Sequence, residues 1–252
     1  MIESSVNSAR VLDLEVTLWT REEWTSTVGA SIQHNTRQIV MSQNLHSIYL
    51  AHREPALRRA QRLAKLRIDG MSVVALARLA GISAQREHRV TWNDWIHPLF
   101  EEAEARGWKI FHLGSSLENA SNALDAVRQR YPKLSLTTHH GYFDKSPDSS
   151  ATQAVRDAIN EATPDILMVG MGMPIQEIWI ADNHLHIRCP VILTCGAALE
   201  YVTGAQPTAP RWLGSLGLEW LHRLAADPKR LWRRYLLEPW YVGWLMLKSA
   251  FR

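Results

Sequence analysis

Apolar and polar residues recur along this chain with two periods, and the switches between them mark its elements. Val11–Leu18 alternates apolar and polar, the period of two that a half-buried strand requires. Thr20 suits an N-cap with Glu23 three places on, a capping box that opens a helix toward Gln33. Arg37–Ser42 predicts a short strand, followed by helices over Leu45–Arg53 and Pro55–Lys65. Leu66–Ile68 is a brief run that ends at the turn dipeptide Asp69-Gly70. Met71–Leu79 and Trp95–Arg106 carry helical spacing, and Lys109–Leu113 is a strand broken by Gly114-Ser115-Ser116. Ser115 and Glu118 predict a second capping box, ahead of the single helix face Ala120, Ala123, Leu124, Val127 and Tyr131. Leu134–Thr138 is a strand, and Ser150–Ala162 a helix capped by Ser150 and Gln153. Asp165–Val169 and Pro190–Thr194 are continuous apolar strands. Between them Pro174 suits the first position of a helix over Ile175–Asn183.

Strands separated by helices of this length imply βαβ units. The fold class is therefore α/β, with a largely parallel sheet covered by helices on both faces. From Arg211 onward the pattern is helical and contains no strand.

A chain of 252 residues, 46% hydrophobic and 21% charged, is that of a globular protein with ample core. Its two cysteines, Cys189 and Cys195, make no disulfide framework and fit a reducing cytoplasm. No run of some 18–20 apolar residues is present to span a bilayer. Glu3, Asp13 and Glu15 interrupt any signal-peptide core at the N-terminus. Charge sharpens the division of the chain. Residues 211–252 hold eight basic and three acidic residues, a charge of +5. The remaining residues, with 20 basic and 22 acidic, carry −2. Five of the 11 tryptophans lie in the same tail. A −2 body disfavours nucleic acid as a partner.

Ligands of open α/β sheets bind beyond the carboxyl ends of strands, near helix N-termini. Four loops qualify. Gly170-Met171-Gly172-Met173-Pro174-Ile175-Gln176-Glu177 offers backbone N–H groups to a phosphate, but lacks the third glycine of a dinucleotide fingerprint, which disfavours an NAD-dependent oxidoreductase. Gly114-Ser115-Ser116 suits a nucleotide phosphate or simply caps a helix. His139-His140-Gly141-Tyr142-Phe143 has poor metal-ligand spacing, and its glycine and aromatics suit a base or sugar. Asp69-Gly70 is either a general-base carboxylate at a strand end or an Asx turn. No Asp-x-Asp occurs. A leaving diphosphate would then need arginine, whose planar fork matches phosphate oxygens. Arg230, Arg233 and Arg234 share one helical face, with Arg223 some two turns earlier across Pro228. Interleaved Trp, Leu and Arg in that tail fit either a membrane interface or a solvated basic face over core tryptophans.

Two long motifs carry a resemblance. They are Gly170-Met171-Gly172-Met173-Pro174-Ile175-Gln176-Glu177 with Trp179-Ile180, and Ala209-Pro210-Arg211-Trp212 followed by Gly217 to Leu224 and Pro228 to Tyr235. Shorter matches are Asp69-Gly70, Arg89 to Asp94 and His140 to Phe143. Over Val11 to Tyr235 the chain resembles the bacterial WecG/TagA/CpsF glycosyltransferases. The resemblance implies a Rossmann-like catalytic domain over residues 1–208 and a basic, Trp-rich, membrane-associating appendage over 209–252. It implies an inverting, metal-independent transfer, hexosyl or N-acetylhexosaminyl, from a UDP-sugar to a polyprenyl-diphosphate-linked acceptor. No cofactor is implied, since the UDP-sugar is a substrate. The implied place is the cytoplasm, peripheral on the inner face of the plasma membrane, with an oligomer left open.

By the same resemblance Asp69 falls on the general base and Gln176 on the active-site glutamine. Arg223, Arg230 and Arg233 fall on arginines that reach the diphosphate. Gly114, Ser115, Gly141, Tyr142, Gly170, Gly172, Glu177, Glu200 and Arg89 fall to the nucleotide-sugar. Three departures stand out. Ser42-Gln43-Asn44 replaces the family's Thr-x-Asn and keeps its hydroxyl, so Ser42 and Asn44 join the catalytic set. Glu200 replaces an Asp. Trp92 stands where the family continues with Gly. A rival from another class is a membrane-peripheral nucleotide-binding scaffold without turnover.

Overall fold

The computed structural model describes residues 8–12, 14–203, 213 and 219–250. The expected boundary at 208/209, Arg211, Trp212 and the motif from Ala209 to Leu218, Leu213 aside, lie outside the described residues.

The strands are β1 (Ser8–Val11), β2 (Leu14–Thr17), β3 (Gln38–Gln43), β4 (Lys65–Ile68), β5 (Lys109–Gly114), β6 (Ser135–His139), β7 (Ile166–Gly170) and β8 (Val191–Thr194). They form one sheet in the order β1-β2-β4-β3-β8-β7-β5-β6. Only β1 runs antiparallel to its neighbour. The helices of the body are α1 (Arg21–Gln33), α2 (Leu45–Arg53), α3 (Pro55–Gln61), α4 (Met71–Leu79), α5 (Trp92–Arg106), α6 (Leu117–Arg130), α7 (Ser150–Ala162), α8 (Ile175–Asn183) and α9 (Ala198–Val202). The tail adds α10 (Glu219–Ala226), α11 (Pro228–Trp232), a π-helical turn over Arg233–Leu237, and α12 (Glu238–Ala250).

Alternation along the central strands builds two cores. Ile39, Met41, Leu167, Val169 and Ile192 face one side, where α2, α3, α4, α7 and α8 pack and Val242 of α12 joins them. Val40, Ile166, Met168, Val191 and Leu193 face the other, under α1, α5, α6 and α9. The α/β class and the coverage of both faces are as the pattern predicts. Trp24, Trp95 and Trp179 are fully buried in the body, whereas Trp220, Trp232, Trp240 and Trp244 of the tail are exposed.

Several local expectations are corrected. Val11–Leu18 is not one strand but a hairpin, with Val11 paired to Leu14. Leu12 takes φ 56 in the reversal. Val11, Leu14 and Val16 are buried, so the alternation passes through the turn without revealing it. The helix expected to reach Lys65 stops at Gln61, because Lys65 is needed in the ladder opposite Val40. Ser115 has φ 60 and cannot cap; Ser116, in extended conformation, accepts from the N–H of Asn119 instead. Ser149, not Ser150, caps α7 by accepting from Thr152. In both cases adjacent serines left the register open by one residue. Pro174 occupies the N-cap of α8, not its first position, and α5 begins at Trp92 after Thr91.

Candidate functional site

Parallel strands deliver their carboxyl ends to one edge of the sheet. Beyond β4, β3, β8 and β7, four consecutive neighbours, a cleft of about 640 Å³ opens. The body supplies Ser42, Asn44, Asp69, Thr91, Trp92, Gly172, Gln176 and Gly196, and the tail supplies His222, Arg223, Arg233, Arg234 and Glu238. A contiguous lobe of about 610 Å³ shares Asp69, Asn44 and Arg223 and adds Gly70 and Arg89.

Asp69 follows β4, and its backbone N–H donates to the Gln43 carbonyl at 2.8 Å, which fixes the carboxylate at the strand end. Asn44 caps α2 through its side-chain oxygen and points its amide nitrogen at Asp69 Oδ2, 3.5 Å away. Ser42 lies opposite Arg67 in the β3–β4 register, and its hydroxyl accepts from Arg67 Nη2 at 2.6 Å. Arg67 also donates to the Val90 carbonyl and lies over the ring of Trp92 at 5.1 Å. Burial lowers the pKa of this guanidinium, opposed by the nearby Asp69 and Asp94. A buried cation thus sits under the floor of the cleft. Trp92 completes the floor by stacking on Trp95 and donating its indole N–H to the Thr194 carbonyl at 2.9 Å. Arg89 pairs with Asp94 at 3.3 Å beside the second lobe.

Gln176 is a brace. Its amide oxygen accepts from the N–H groups of Gly172 and Gly196, each at 3.2 Å, tying the loop after β7 to the loop after β8. Its amide nitrogen donates to Glu177 at 2.7 Å. Glu177 turns away from the cleft and is 1% exposed. Burial pushes its carboxyl up to about 7, and Oε2 has no hydrogen-bond partner among the described residues. The folded state therefore holds this proton more tightly than the unfolded chain. Its stabilising effect is full in acid and is lost as pH rises through about 7. Glu177→Gln should gain stability over the parent between pH 5 and pH 9, by up to about 3 kcal/mol. Urea denaturation at the two pH values measures it; a pH-independent gap would show that the fold does not hold this proton more tightly than the unfolded chain does.

The glycines of the remaining loops touch one another. Gly114 and Gly170 face each other in register, and a Cβ on Gly114 would lie 2.4 Å from the Gly170 carbonyl oxygen. One on Gly141 would lie 3.2 Å from Gly114 Cα, and Gly141 N–H donates to Ser115. Gly114, Ser115, Gly141, Gly170 and the exposed Tyr142 form a rim next to the cleft and do not line it. Glu200 also stays off the cleft wall, while its neighbour Tyr201 lines it and accepts from Arg223 Nη2 at 2.6 Å.

The tail is fastened across the cleft. His46 Nδ1 of α2 lies 2.8 Å from the buried Glu238 at the start of α12. Tyr49 and Tyr241 meet edge to face at 5.3 Å. This brings Arg223 and Arg233 to one cleft with Asp69, the three positions that the resemblance groups together. Arg234, which shares a helical face with Arg233, lines the cleft as well. Arg230 lies on α11, and its side chain is outside the described residues. Sequence reasoning missed Arg67, His46, Tyr201 and Glu238. A lone arginine amid an apolar strand, Leu66-Arg67-Ile68, was the one available signal. Among the described residues no group of three His, Cys, Asp or Glu could hold a metal, and no helix is long and apolar enough to cross a membrane.

Comparison with known proteins gives two findings. The model of the glycosyl transferase WecG/TagA/CpsF family matches residues 9–252. An N-acetylglucosaminyldiphosphoundecaprenol N-acetyl-beta-D-mannosaminyltransferase of Staphylococcus aureus (strain NCTC 8325 / PS 47) is 34% identical over 146 residues, 58% of this chain and 56% of its own. The protein of the same name from Staphylococcus aureus (strain COL) gives the same figures. The chain thus spans little more than half the length of these curated relatives.

Proposed function

The chain belongs to the WecG/TagA/CpsF glycosyl transferase family, and from that premise we propose that it moves a sugar from a UDP-sugar to a polyprenyl-diphosphate-linked acceptor, with inversion and without a metal. The relatives' name points to N-acetylglucosaminyl-diphospho-undecaprenol as the first acceptor to try and N-acetylmannosamine as the first sugar. Asp69 is the general base: it takes the proton of the acceptor hydroxyl, which attacks the anomeric carbon from the face opposite the leaving UDP. Asn44 orients that carboxylate. Arg223 and Arg233 meet the charge that develops on the diphosphate, where prepositioned donors have their largest effect. Gly172 and Gly196, braced by Gln176, shape the donor side, and the rim of Gly114, Gly141 and Gly170 takes the nucleoside. The tail rests on the inner face of the plasma membrane, its exposed Trp240 and Trp244 in the interface.

The observation that carries this reading is one space lined from the body by a carboxylate and from the tail by arginines. Release of UDP from a panel of UDP-sugars, with and without a short polyprenyl-diphosphate acceptor, tests it. Acceptor-dependent release that survives a chelator is expected. Binding of UDP without release from any donor would favour a scaffold instead.

A further inference from the structure

The arginines of α2 and α3 lie away from the cleft, and the proposed reaction leaves them unused. Residues 53–62 carry Arg53, Arg58, Arg59 and Arg62 against the single carboxylate of Glu54. That carboxylate is engaged at the start of α3, accepting from the Ala56 N–H at 3.4 Å. A pocket of about 230 Å³ opens there, lined by Ala51, His52, Pro55, Arg58, Arg59 and Arg62. Arg58 is set in its wall: Nε donates to the Ala51 carbonyl at 3.1 Å and Nη2 lies 3.2 Å from His52 Nδ1. Arg59 and Arg62 are exposed at its mouth. Guanidinium groups converging on a small pocket match the oxygens of a phosphate.

The neighbourhood says which phosphate. His52 of this pocket meets the Tyr241 ring at 5.7 Å, and Tyr241 meets Trp244 at 5.9 Å. α12 turns Val242 and Leu245 into the protein and leaves Trp240, Trp244 and Leu247 exposed, with Lys248 over Trp244 at 5.0 Å. The arginine pocket and the aromatic strip are therefore continuous. Apolar aromatics bordered by cations fit the interface of an anionic bilayer, rings at headgroup depth and guanidiniums on phosphates.

We propose that Arg59 and Arg62, with the pocket they border, bind the headgroup phosphate of an anionic phospholipid, so that the body as well as the tail contacts the membrane. This rests on the reading that α12 meets the bilayer. The test is co-sedimentation of the full chain with phosphatidylcholine vesicles, with and without phosphatidylglycerol. Each basic residue near such a surface contributes about 1 kcal/mol, so Arg59→Gln with Arg62→Gln should lower partition onto phosphatidylglycerol vesicles about 25-fold. Arg59→Lys with Arg62→Lys should keep most of it. Arg128→Gln with Arg130→Gln, on α6 across the sheet, should leave it unchanged. Unchanged partition of the first pair, or equal loss from the α6 pair, overturns the proposal. If Trp240→Ala with Trp244→Ala abolishes partition while the Arg59 and Arg62 pair does not, the tail reading stands and this proposal alone falls. If the parent chain ignores phosphatidylglycerol vesicles, the tail reading fails and takes the proposal with it.

Discussion

Asp69→Asn should lower acceptor-dependent UDP release by about 10²–10⁴-fold, the usual contribution of a positioned general base. The substitution keeps the size of the side chain and its backbone bond to Gln43, so the strand end should not move. UDP affinity should stay within about a factor of two, because a base acts on the acceptor proton and not on the nucleotide. Two results are decisive. Near-normal release would remove Asp69 as the base. A parallel collapse of UDP affinity would make it a binding residue instead.

Arg223→Gln is the second large effect, a loss of about 10²–10³-fold in the same assay, as for other prepositioned donors at a developing anion. Arg223 is held by Tyr201 and lines both lobes with Asp69. Tyr201→Phe should therefore lose activity in the same direction but less, since the cation remains and only its aim is released. The loss should appear mainly in kcat, because the charge is greatest in the transition state. Full turnover by Arg223→Gln would sink the leaving-group assignment. A Tyr201→Phe defect larger than that of Arg223→Gln would shift the role from the arginine to the phenol.

What was legible from the sequence follows from the range of the interactions involved. Helix starts and apolar runs are local, so Thr20 and Glu23 announced α1, and Ile166 to Val169 announced a central strand. Asp69 and the loop from Gly170 to Gln176 were found because a strand end followed by a helix is itself a local pattern. The hairpin at Leu12 reads as one strand, since spacing does not encode the positive φ that reverses the chain, and adjacent serines leave the caps at Ser116 and Ser149 open by one residue. The bonds that assemble the cleft are long-range. His46 meets Glu238 across 192 residues and Trp92 meets Thr194 across 102. No periodicity records such pairs. Arg67 was passed over because an arginine in a short strand looks like an edge position, whereas β4 is interior and the side chain finds Ser42 and two indole faces. Arg233 and Arg234, which helical spacing puts on one face, do both line the cleft, from a turn that is π-helical over Arg233–Leu237.

The brace made by Gln176 has a consequence for how such a site adapts. One amide oxygen fixes the spacing of the loops after β7 and β8, so this side behaves as a rigid jaw whose gauge is set by a single side chain. The opposing jaw is carried by the tail, which among the described residues meets the body at His46, Tyr49 and Tyr201 and through Val242 in the core. On the proposed reading, a donor or acceptor of different bulk is then expected to be met by a shift of the tail, with the sheet and its jaw left as they are.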